Sequence, residues 1–282
     1  MKKKQIILFA LSVLCIGTAN AQTDVIKASV VQDGTTLETA QFDASETHSF
    51  SFEGENLVMT LGDGTAHIAK MPVKNNGTMS VEFGTSDESN NKKSVAVTSA
   101  GYATFASAFQ TVVPSGVNVY AATYADEKLK LNSATQLTAN TVLPAGTGVI
   151  LKGNAGNYDF VYSSEAASTD AKLTANSLVG SVIAVPVTDL GSGTICSLAK
   201  VDNVVAFYRY TPEYTQANKA FLVLPADAKI VGFDFDDEPT GIAEVAGSKE
   251  QVAGAIYNLA GVKVGADYKG IVIKNGKKFI NK

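Results

Sequence analysis

The chain has no tryptophan, a single arginine (Arg209), two histidines and two cysteines in 282 residues, and each scarcity excludes something. Cys15 lies in the N-terminal apolar run, so once that run is removed Cys196 stands alone and no intramolecular disulfide can form. The fold must then be held by its core. His48 and His67 are the only imidazoles, and neither falls in an H-E-x-x-H or other metal-ligand spacing. Cys196, between Ile195 and Ser197, has the sequence surroundings of a small core residue more than of a nucleophile. The missing tryptophan weakens a carbohydrate site built on ring stacking.

What is present begins with a leader. Lys2, Lys3 and Lys4 precede an apolar stretch over residues 6–16, and Ala19, Asn20 and Ala21 form an A-x-A site. Residues 1–21 are therefore read as a signal peptide, with a mature chain starting at Gln22. Cys15 follows Leu14 inside the apolar core, which speaks against an N-terminal lipid anchor. Beyond the leader no stretch approaches the roughly 20 apolar residues of a membrane helix. Removing the leader leaves 20 basic against 27 acidic residues, a balance that argues against nucleic acid as a partner.

Apolar and polar residues alternate with a period of two almost throughout, in short runs rich in Val, Ile, Thr, Tyr and Phe between Gly, Asn, Asp and Pro. The pattern predicts an all-β chain. A small β unit is expected over 22–84, with Asp33-Gly34 and Asp63-Gly64 as hairpin turns, leaning on its neighbour because about 60 residues make a thin core. Residues 84–94 have almost nothing to bury and read as a linker. The main unit, 95–236, carries eight or more strands and reads as a β-sandwich or jelly roll. Residues 237–253 mix charge with Pro239, Gly241 and Gly247 and read as a second linker, followed by a C-terminal β module over 254–282. The runs 143–151 and 215–224 both set a small turn before an apolar strand, as sandwiches often do or as duplicated halves would.

Few residues offer chemistry. Gly191, Ser192 and Gly193 do not make G-x-S-x-G, no helix follows, and the glycines read as a hairpin. Asp234, Asp236, Asp237 and Glu238 form the densest acidic cluster, in a spacing that fits no EF-hand. No pair of carboxylates for glycoside hydrolysis can be named from strand spacing. No cofactor is indicated. Tyr208, Tyr210 and Tyr214 crowd one region, with Tyr208 and Tyr210 on one strand face and Arg209 on the other. They are the candidate ligand contacts, and their plain alternative is to cover the edge of a core.

In the last 27 residues, Tyr257, Asn258 and Leu259 precede Gly261, and Gly270, Ile271, Val272 and Ile273 precede Asn275, Gly276, Lys277 and Lys278. This layout resembles the C-terminal sorting domains of secreted Bacteroidota proteins of the type IX kind. The resemblance implies recognition by secretion machinery at the outer membrane and removal of the tail through 237–253, with Lys277 and Lys278 as docking charges. A terminal hairpin that belongs to the fold is the alternative. Within the main unit, Gly101-Tyr102-Ala103-Thr104-Phe105, Val113-Pro114-Ser115-Gly116-Val117, Leu143-Pro144-Ala145-Gly146-Thr147-Gly148 and Asn218-Lys219-Ala220-Phe221-Leu222 are similar to a β module that accompanies BspA-like leucine-rich repeat proteins. This chain has no such repeats, so the likeness implies location and type, not a reaction.

The expectation is a noncatalytic secreted or cell-surface protein, extracellular or at the outer-membrane surface, that binds a host protein or glycan. A structural component of the envelope and a periplasmic location are the alternatives. A polysaccharide- or peptide-hydrolysing enzyme ranks below both.

Overall fold

The computed structural model describes residues 25–44, 48–61, 66–87, 90–125, 128–225, 233–234, 256–258, 263–264, 270–274 and 277–281. The chain is all-β and divides into two compact units, Met1–Asp234 and Phe235–Lys282.

Strands β1 (Val25–Gln32), β2 (Thr35–Asp43), β3 (His48–Glu53), β4 (Asn56–Leu61), β5 (Ala66–Pro72) and β6 (Gly77–Gly84) form two three-stranded antiparallel sheets, ordered β2-β1-β6 and β3-β4-β5. Alternation decides which side chains turn inward: Ile26, Ala28, Val30 and Gln32 on β1, and Glu38, Ala40 and Phe42 on β2. Asp33 and Gly34 connect these strands with φ of 48° and 76°, the left-handed pair that a two-residue hairpin requires. Asp63 and Gly64 lie outside the described residues. The inward faces of both sheets meet in one core that includes Val30, Phe42, Met59, Ile68 and Met71. That core is completed from later in the chain, by Ala106, Ala108, Phe109, Val182, Ile183 and Val185. Backbone bonds seal the join, with Lys70 N donating to Ala108 O at 2.7 Å and Gln110 N to Ile68 O at 2.7 Å.

A second sandwich follows, from β7 (Lys92–Val97), β8 (Tyr102–Phe105), β9 (Thr111–Val112), β10 (Asn118–Tyr120), β11 (Thr123–Ala125), β12 (Lys128–Lys130), β13 (Gln136–Leu137), β14 (Val142–Leu143), β15 (Val149–Lys152) and β16 (Gly156–Tyr162). Its sheets, ordered β13-β10-β15-β8 and β14-β9-β16-β7, enclose Val97, Val119, Leu143, Val149 and Leu151. Phe105 from one layer meets Phe160 from the other, ring centroids 4.4 Å apart. A one-turn helix α1 (Ala171–Thr174), N-capped by the Asp170 side chain, leads to a further four-stranded sheet. Its strands are β17 (Leu178–Ser181), β18 (Thr194–Val201), β19 (Val204–Arg209) and β20 (Lys219–Leu224), in the order β17-β20-β18-β19. Strand β21 (Phe233–Asp234) pairs in parallel with β12.

Two boundaries differ from the sequence reading. Strand β7 begins at Lys92, inside the stretch read as a linker, because it is a sheet edge that needs few apolar residues: Lys92 and Ser94 face outward and bond Asp159 on β16. Residues 95–225 also hold more than the one sandwich, since a separate four-stranded sheet uses much of 178–224. Gly191 and Gly193 sit on the way into β18 and join no strand pair; a Cβ on Gly193 would lie 1.9 Å from the Leu224 carbonyl oxygen. The two similar runs lead into β15 and β20, central strands of different sheets.

In the second unit, β22 (Ile256–Asn258), β23 (Lys263–Val264), β24 (Gly270–Lys274) and β25 (Lys277–Asn281) form an antiparallel sheet ordered β23-β22-β24-β25. Lys274 faces Lys277 across a two-residue connection. The connection itself, Asn275 and Gly276, lies outside the described residues, as do Gly261 and the linker 237–253.

Candidate functional site

A cleft of about 390 Å³ opens between the β3–β4 turn and β5 on one side and residues 145–147 and 179–190 on the other. Its inner wall is apolar, with Val182, Ile183 and Val185 all nearly buried. Its mouth is charged. Lys74 Nζ bridges the two sides, 2.6 Å from Glu55 Oε2 and 3.2 Å from Asp189 Oδ2, and both acids hold its ammonium above the usual lysine range. Lys70 Nζ lies 3.1 Å from Glu53 Oε2 beside it.

Glycine sets the shape of the far wall. A Cβ on Gly180 would stand 2.2 Å from Gly146 O, so β17 and the 145–147 turn approach to a distance that no other residue allows. Gly146, with φ of 80°, is anchored by donating its N–H to Ser107 O at 2.8 Å. An apolar wall beneath paired charges suits a short polypeptide segment that buries a side chain and exchanges ion pairs at the rim. A second hollow near residues 114–118 and 136–139 mixes amides and hydroxyls with Val117, Leu137 and the Lys172 side chain, and there Gln136 Nε2 donates to Asn118 Oδ1 at 3.1 Å.

The tyrosines proposed from sequence sit elsewhere. Tyr208 on β19 donates its hydroxyl to Val204 O at 3.1 Å. Tyr210 donates to Tyr214 O at 2.9 Å and packs edge-on against Phe221. The structure thus joins Tyr210 to Tyr214 and leaves Tyr208 bonded along its own strand. Tyr214 remains 44% exposed, the ring of the three most open to a ligand. Gly270, Lys277 and Lys278 fall on β24 and β25.

The other chemistry-bearing residues are separate. Cys196 is fully buried on β18 and burial raises its thiol pKa, which keeps it protonated and poorly nucleophilic. The histidines lie on β3 and β5, with His48 opposite Leu61 and His67 opposite Thr60 in register. Among the described residues no group of three His, Cys, Asp or Glu stands ready for a metal. Of the acidic cluster only Asp234 is among the described residues.

Sequence reasoning missed both the cleft at Lys74 and a buried carboxyl. Glu38 is 3% exposed, and its carboxyl accepts from Ser107 Oγ at 2.8 Å, from Ala108 N at 3.1 Å and from Asn218 Nδ2. Desolvation pushes its pKa up to about 7 against those donors and the Lys93 charge. The signal was there: Glu38, Ala40 and Phe42 share one face of an alternating strand.

Compared with known protein families, curated proteins and solved structures, the chain matches none.

Proposed function

We propose that this is a noncatalytic exported protein that binds a partner at the cell surface through its first unit and is addressed by its C-terminal sheet. The observation that carries the reading is the division of the chain: residues from Phe235 onward form a compact unit of their own, following the one in which the clefts lie. A binding body followed by a separable β tail is the organisation that a sorting tail requires. The leader-like start, with Lys2, Lys3 and Lys4 before an apolar run, supports export. The cleft at Lys74 supports a host protein as ligand, through its apolar wall and charged mouth. The second hollow, with Asn118, Ser133, Gln136 and Thr138 in its lining, serves a glycan better.

The test is the intact mass of the native protein from producing cells, measured separately in outer membrane, periplasm and culture fluid. A chain from Gln22 that ends within 237–253 and is found outside the cell is the expected result. A chain running from Gln22 to Lys282 and confined to the periplasm overturns it and makes the tail part of the fold.

A further inference from the structure

Among the contacts that fasten the first sandwich to the rest of its unit are two polar staples on neighbouring strands, and they differ in one property. Gln32, at the end of β1, donates from Nε2 to Ala184 O at 2.7 Å and to Asn75 O at 2.9 Å, and its Oε1 accepts from Ala184 N at 2.8 Å. That staple is neutral at every accessible pH. Glu38, on β2, does the same work with a group that titrates, reaching Ser107 and Ala108 after β8 and Asn218 before β20.

We propose that Glu38 is a pH-operated latch, which holds the first sandwich closed on residues 106–109 and 218 and loosens that edge when its carboxyl ionises, while the Gln32 staple stays shut. The geometry supplies what a latch needs. The carboxyl is buried, it joins segments 69, 70 and 180 positions away in sequence, and its three donors belong to the other side of the join. Among the described residues, the charged or titratable groups that act on it are Lys93 from β7, which favours ionisation, and Tyr162 from β16, whose hydroxyl is held protonated by burial and by the Glu38 charge. Strand β1 offers only Val30 opposite it.

The sign follows from linkage. The folded-state pKa, about 7, stands above the ordinary value of 4.5, so the closed form binds more protons between these values. Closure is therefore favoured most at the acid end and weakens as pH rises through that window. Above about 7 the full cost of a buried carboxylate is present and the dependence levels off.

Hydrogen exchange on the full chain reads this directly, because the Ala108 amide is one of the donors. After correction for intrinsic rates, protection of residues 106–109 falls roughly tenfold or more between about pH 5.5 and about pH 8. Residues 183–185, at the neutral staple, keep theirs. In Glu38→Gln, which retains an oxygen for Ser107 and Ala108 but cannot ionise, the dependence at 106–109 disappears. Equal pH dependence in wild type and variant, or an equal fall at both staples, overturns the latch. Carbon-13 titration of the Glu38 carboxyl in the wild-type protein decides the matter should the variant fail to fold: a midpoint near 7 supports the latch, and one below about 5 ends it.

Discussion

The two sandwiches reach the same end by different means. The second closes its core within its own stretch: Val95, Phe105, Val119, Leu143 and Phe160 all fall inside residues 95–160. The first cannot. Its core takes Phe109 and Ile183 from far along the chain, and its join is polar where Glu38 and Gln32 reach across. Two thin three-stranded sheets of about 60 residues expose too much surface for their volume, so a borrowed floor makes up the shortfall. A boundary drawn from sequence composition thus separates residues that share one core.

The comparison breaks most visibly by excision. A fragment of residues 22–84 lacks Ala106, Phe109 and Ile183, and it should give no cooperative transition in thermal or denaturant unfolding followed by circular dichroism. A sharp transition with the β signature intact would mean that the borrowed residues are dispensable. Single truncations sharpen the contrast. Phe160→Ala empties the middle of the second sandwich and should cost about 3–5 kcal/mol in urea unfolding. Ile183→Ala should cost about 2–5 kcal/mol but loosen the first sandwich selectively, so that exchange rises at β1 and β4 and not at β15. Equal spread of both effects over both sandwiches would make them a single core. The smallest effect belongs to the edge that composition concealed. Lys92 lies 2.5 Å from Asp159, and the ammonium lowers the Asp159 pKa, yet both side chains are more than a third exposed. Asp159→Asn should therefore cost less than about 1 kcal/mol, a loss that wild type reproduces on acidification as the carboxylate protonates.

Alternation made the all-β class legible, because a half-buried strand must place every second side chain inward, although the long strands β2, β6 and β18 were not picked out. The hairpin at Asp33 and Gly34 was legible for an equally local reason, the left-handed backbone that both residues adopt. The first half of strand β7 was hidden since an edge needs polar residues, and Lys92, Lys93 and Ser94 look like a linker until Asp159 is placed beside them. The short pairings, such as β9 with β14, offer two residues each and no period to count. At the candidate sites the limit was distance along the chain. Nothing near Lys74 announces Asp189, and nothing near Glu38 announces Asn218, 180 positions on. The tyrosines were found because they are neighbours in sequence, and the hydroxyls of Tyr208 and Tyr210 are bonded to backbone nearby for the same reason.

Cys196 gives the molecule a built-in reporter. It is the only cysteine among the described residues, it is fully buried, and its strand lies between β19 and β20. A thiol-directed label can reach it only when the fold around β18 opens, so the labelling rate is a clock for that opening. The same seclusion keeps the Cys196 sulfur from bonding to another thiol while the fold around it stays closed.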